Sequence, residues 1–125
     1  MEWVIEYVEA QNYVKVIGAG LFSINEHFQI FEDIISHEYW KPGMPLLFDN
    51  RQMDFTGINF KVVSQASSNY ERISDRIGNI KTAMLMKSIA DFGIGRQFEI
   101  ISVNKGPGEM RVFLDEKEAL LWLLN

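Results

Sequence analysis

A chain of 125 residues and 14.5 kDa has room for one domain spanning residues 1–125 and for a core that needs no covalent staples. At 47% hydrophobic, 13% aromatic and 23% charged it has the make-up of an ordinary globular protein, and the absence of Cys removes disulfides, thiolate nucleophiles and Cys-based zinc sites. Twelve Lys and Arg against seventeen Asp and Glu leave a formal charge of −5, which argues against nucleic acid and anionic lipid as partners. No apolar run reaches the roughly 18 residues of a membrane helix, so no stable membrane insertion is expected. The acidic opening M-E-W-V-I-E lacks the basic residues of a signal peptide, and the default expectation is a cytoplasmic protein.

The β-branched and aromatic runs Trp3 to Ala10 and Tyr13 to Ile17, separated by Gln11-Asn12, predict a hairpin. Ser23 followed by Glu26 predicts a capping box and a helix ending near His37, with Ile24, Phe28, Phe31 and Ile35 on its apolar stripe. Lys41 to Pro45 breaks that helix, and Pro45 to Asp49 predicts a buried strand whose carboxyl end surfaces at Asp49. Asp54 or Thr56 is then expected to cap a helix through Ile58, Val62 and Ala66, with a break at Ser67-Ser68-Asn69 and a further turn or two before Gly78. Ile80 to Met86 predicts a strand, Ser88 or Asp91 caps a helix through Ile101, and 106–108 is a loop. Met110 to Leu114 predicts a short strand, and Asp115 with Glu118 starts a last helix. Strands alternating with helices demand crossovers, hence a mostly parallel or mixed sheet.

The stretch Met53-Asp54-Phe55-Thr56-Gly57 resembles the M-D-S-S-G segment of STAS-superfamily anti-sigma-factor antagonists, in which the second Ser is phosphorylated by a partner kinase; here Phe replaces the first Ser and Thr the second. The stretch Trp40 to Arg51 (W-K-P-G-M-P-L-L-F-D-N-R), the segment Phe92 to Phe98 and the run Arg111 to Leu123 are similar to the SpoIIAA-like, or STAS/SEC14-like, branch of small stand-alone proteins. That resemblance implies an α/β, STAS-type mixed sheet of about five strands with four or five helices packed mainly on one face. It also implies self-association, supplies no agreed catalytic residues, and brings a hydrophobic ligand into view.

Thr56 carries the sharpest alternative. A hydroxyl at a helix N-terminus can cap the helix, with Thr56→Ala costing on the order of 1 kcal/mol, or it can accept a phosphate beside Asp54 and Asp49, with Gly57 leaving room for a partner. Asp49 and Arg51 share a face by alternation and form either a fixed ion pair or a polar-ligand contact, for which Arg96 on its helix is a further candidate. His27 and His37 lack metal-ligand spacing and read as surface or helix-end residues. Gly18-Ala19-Gly20 lacks the third glycine of a dinucleotide loop, and no carboxylate pair, triad or nucleophile elbow is visible. Phe60 lies about 70° off its helix stripe and Met84 and Met86 alternate in a strand, leaving apolar surface for a dimer face or a small pocket. These residues describe a non-catalytic interaction or regulatory module without metal or cofactor, binding a protein partner or itself as a homodimer through Asp49 to Gly57. The alternative is a carrier or sensor of a small apolar or amphipathic ligand.

Overall fold

In the computed structural model, which describes residues 1–78, 80–103 and 108–125, β1 (Glu2–Val8) and β2 (Tyr13–Leu21) form an antiparallel hairpin. Its reversal is a 3-10 turn closed by Asn12 at φ 57, a left-handed conformation that Asn tolerates better than most residues. The strands β3 (Leu46–Asp54), β4 (Lys81–Leu85) and β5 (Glu109–Phe113) follow parallel to β2, and the sheet order is β1-β2-β3-β4-β5.

The connecting helices are α1 (Ile24–Ile35), α2 (Phe60–Ile77) and α3 (Ile89–Ile101), and α4 (Glu116–Leu123) follows β5. Each new strand is added on the same side of the previous one, so crossovers of one hand leave their helices on one face. There α1 packs beside α2 and α2 beside α3, while α4 returns across the opposite face under β3, β4 and β5. The mixed five-stranded sheet with four helices, mainly on one face, agrees with the expected class.

Alternation along β3 divides the core. Leu46 and Phe48 meet Ile30, Phe31 and Ile34 of α1 and Tyr70, Ile73 and Ile77 of α2, whereas Leu47 points the other way to Ala119 and Leu123 of α4. Leu46, Leu47 and Leu85 are fully buried, each contributing about 2 kcal/mol over an exposed position. A second cluster on the three-helix face joins Met53, Met84 and Val112 of the sheet, with Met86 just past β4, to Val63, Ala66 and Phe98. Gly95 makes that packing close: a Cβ there would stand 2.5 Å from Val112 Cγ2.

Several local expectations change. Ser23 precedes α1 but makes no side-chain cap, and the buried stripe of α1 is Ile30, Phe31 and Ile34. The Gly18-Ala19-Gly20 run lies within β2, and β3 continues five residues past Asp49 because β2 extends alongside it as far as the Leu21–Asp54 pairing. The helix α2 runs unbroken through Ser67-Ser68-Asn69; Ser67 is buried, with its hydroxyl 3.4 Å from that of Ser102. Its N-cap is Asn59, whose Oδ1 accepts the Val62 N–H at 3.0 Å, so neither Asp54 nor Thr56 caps it. The caps at Ser88 and Asp115 form as expected. Of the expected loop at 106–108, residues 106–107 lie outside the described residues.

Candidate functional site

The expected site residues separate into three places. The division begins at a bulge: Ile17 pairs with Asp49 but Ala19 with Gln52, so Asn50 and Arg51 together oppose Gly18. Asn50 keeps to the three-helix side with Leu46 and Phe48, and Arg51 to the α4 side with Leu47 and Asp49; beyond them the extra residue brings Met53 to the three-helix side.

On the α4 side Arg51 binds Asp49 through two guanidinium nitrogens, Nε to Oδ1 at 2.9 Å and an Nη to Oδ2 at 2.8 Å, and its backbone N–H also donates to Oδ1. The same guanidinium donates to Glu116 at 3.1 Å, and Lys15 donates to Glu116 at 3.2 Å. Asp49 is buried at 7% exposure rather than surfacing at a strand end. Burial is the largest single influence on its carboxyl and pushes the pKa up, but the Arg51 side chain, the Arg51 N–H and Lys15 together hold it below the ordinary value. Because Glu116 is the first residue of α4, this network fastens that helix to the sheet; an acidic side chain there also suits the helix dipole. Both Asp49 oxygens are engaged within the fold, which is the fixed-pair arrangement.

Arg96 does not join them. It stands on α3, across the sheet, and donates to Glu99 Oε1 at 2.6 Å. Glu99 Oε2 in turn accepts the Val112 N–H at 3.1 Å, satisfying a donor of the last strand in the sheet order.

Asp54, Thr56 and Gly57 form the third place, a turn between β3 and α2. Asp54 Oδ1 accepts the Thr56 N–H at 2.8 Å and also its hydroxyl, and Ile58 N–H donates to the Phe55 carbonyl at 3.1 Å. Gly57 at φ +81 occupies the position where a type II turn needs a positive φ. The side-chain and backbone bonds from Thr56 hold the Asp54 carboxyl below its usual range. Phe55 explains the delayed helix start: its ring is buried against the α2 and α3 cluster, and the chain forms a turn before α2 begins. Thr56 and Gly57 are exposed on this turn, four and three residues ahead of the first residue of α2.

A fourth place was not among the expected site residues. Between the sheet and α1, α2 and α3 lies a cavity of about 40 Å³, lined chiefly by Met and Phe side chains together with His27, Asn50, Tyr70 and Thr82. His27, read from the sequence as a surface or helix-end residue, lies in the first turn of α1 but sits among Phe22, Phe31, Phe48 and Phe98 with ring centroids 5.3 to 6.4 Å away. The residue as a whole is half-buried, yet Nδ1 is sealed from solvent without a hydrogen-bond partner. Desolvation pulls the imidazole pKa down to about 4. Thr82 Oγ1 is likewise buried and unpartnered: the nearby Tyr70 phenol feels the hydroxyl, but no hydrogen bond closes, and burial raises the Tyr70 pKa. The signal for His27 was its spacing, since it precedes Ile30, Phe31 and Ile34 by three, four and seven residues.

Among the described residues no helix is long and apolar enough to cross a membrane. No family model matches the chain, and no curated protein matches it. Among solved structures it is similar to an uncharacterized protein from the DUF3478 family with a SpoIIAA-like fold from Shewanella loihica PV-4. The TM-score is 0.61 at 17% identity, over 98% of this chain and 92% of that one. The chain therefore has a SpoIIAA-like fold; at that identity the likeness speaks to the fold alone.

Proposed function

We propose that the protein is a non-catalytic cytoplasmic interaction module that binds a second copy of itself or another protein through the edge where β2, β3 and β4 end. The observation that carries this reading is the exposure of Leu21 at 58%, Phe60 at 68% and Ile89 at 82%, at the end of β2 and the starts of α2 and α3. Isolated apolar side chains on a surface mean little, but three at the carboxyl edge of parallel strands lie where open α/β sheets place their contacts. The turn from Asp54 to Ile58 belongs to the same edge.

The non-catalytic part of the reading is supported by the titratable groups. Asp49 is closed by Arg51, Glu32 is paired with Arg76 on the surface, and His27 and Tyr70, the two perturbed groups that line one cavity, are both held neutral by burial, so none of these groups stands charged and unpaired in a cleft among the described residues. Regulation at Thr56 would act on the turn rather than on a helix N-terminus. A phosphate would add nearly two negative charges beside Asp54 and remove the hydroxyl that Asp54 accepts.

Sedimentation equilibrium of the chain tests the reading, beside a Phe60→Ser, Ile89→Ser double variant and Thr56→Glu. The expected result is self-association that the double variant weakens by about tenfold or more, with a smaller change from Thr56→Glu. A chain that stays monomeric, and whose co-purifying proteins are retained equally by the double variant, would refute it.

A further inference from the structure

The cavity beside His27 serves neither the proposed contact edge nor the α4 network. Five of the six methionines, Met1, Met53, Met84, Met86 and Met110, line it; Met44 alone does not. Methionine is the side chain best able to reshape a pocket, because it is unbranched, polarisable and rotates about three bonds. Among the described residues three buried side-chain polar atoms lack a partner, and two of them, His27 Nδ1 and Thr82 Oγ1, belong to residues that line this one space. Such atoms cost about 1–3 kcal/mol each unless something meets them.

We propose that this cavity is a binding site for a small neutral molecule, apolar over most of its surface, with one hydroxyl that meets His27 and Thr82. A neutral imidazole offers Nδ1 as an acceptor for the ligand hydroxyl, and the Thr82 hydroxyl can donate to the same oxygen. Size selects the class. At about 40 Å³ the space is far below the roughly 300–1,000 Å³ of drug-sized sites, so a long acyl chain has no place in it. It exceeds the roughly 10–15 Å³ that one water needs, and the methionines can yield to admit a single ring. A molecule without a hydroxyl would leave both polar atoms unmet, and an ion would face Phe rings and sulfur with no charged side chain in the lining and with the Met1 ammonium already paired to Glu26. This inference is independent of the interaction reading above.

Phenol and benzene, matched in shape and differing by the hydroxyl, test it directly by NMR on protein labelled with 13C at the methionine methyls. Phenol is expected to shift the Met53, Met84, Met86 and Met110 signals saturably and leave Met44 in place, with benzene binding at least about tenfold more weakly. Thr82→Val keeps the shape and removes one polar atom, and His27→Phe removes the other; either should bring the phenol-to-benzene ratio towards one. Saturable shifts confined to the lining methionines, with that ratio lost in whichever variant folds, support the site. Equal binding of the two probes, a ratio unchanged in the variants, or no saturable shift with only a long-lived water in the cavity would overturn it.

Discussion

Acidification from about pH 7.5 to about pH 5 is expected to weaken the fold through His27 before any carboxylate contributes. In the folded chain burial holds the imidazole pKa at about 4, while an unfolded chain leaves it near 6.5. The folded value is the lower one, so the stability is fully present above about pH 6.5 and is lost as the pH falls towards 4. Near pH 5 the unfolded chain is almost fully protonated at this site and the folded chain about one-tenth so, a difference of roughly 2 kcal/mol at most, since the residue is only half-buried. The carboxyls of Asp49, Asp54 and Glu32 are all held below their ordinary values, so their stabilisation is lost only at more acidic pH. Urea melts of the wild type and His27→Phe across this range separate the effect. The wild type should lose about 2 kcal/mol, and the variant, with a phenyl ring in a cage of phenyl rings, less than about 0.5 kcal/mol. An equal pH slope in both proteins, or a flat wild type, would refute the assignment of a neutral, desolvated His27.

Three further outcomes follow from local geometry and are read by the same melts. Asn59→Ala should cost about 1 kcal/mol by removing the cap of α2, whereas Thr56→Ala should cost less than about 0.5 kcal/mol because its exposed hydroxyl serves only the turn; the reverse ranking would return the cap to Thr56. Gly95→Ala should cost about 1–3 kcal/mol because its Cβ would meet Val112 at 2.5 Å, and Val112→Ala should relieve it. Gly93→Ala, with nothing within 4 Å of the new carbon, should stabilise α3 by up to about 1 kcal/mol, so equal effects at the two glycines would contradict the packing described. Arg51→Ala should cost about 1–3 kcal/mol by leaving the buried Asp49 carboxylate without its guanidinium, with part recovered by Asp49→Asn; a loss under about 0.5 kcal/mol would show that the network does not fasten α4.

Element type and order were legible because hydrophobic runs and turn residues act locally. Leu46-Leu47-Phe48 reads as a strand buried on both faces, and Ser88 and Asp115 cap the helices they precede. Boundaries depending on a neighbour were not legible. The polar run Asn50 to Asp54 looks like a loop in isolation, yet it is strand because β2 extends beside it to Leu21. Thr56 looks like a cap because it precedes a helical pattern, but burial of Phe55 places a turn first. Ser67 looks like a break because Ser competes with the backbone when exposed; here it is buried within an unbroken helix.

The candidate sites follow the same division between local and long-range information. Asp49 and Arg51 are two residues apart, so their pairing was within reach of the sequence, although the arrival of Glu116 from α4 was not. Without that extra residue, period-two alternation would turn Met53 away from the cavity and bring Gln52 in, since a one-residue shift exchanges the faces of everything beyond it. The bulge therefore sets the Met lining, while plain alternation as far as Arg51 places the polar network on the opposite side of the same strand. His27, Tyr70 and Thr82 come from α1, α2 and β4, and only the crossovers bring them to the same cavity. A histidine on an amphipathic helix is ordinary in sequence; it becomes informative when four Phe rings surround it and a second unpartnered polar atom shares its cavity.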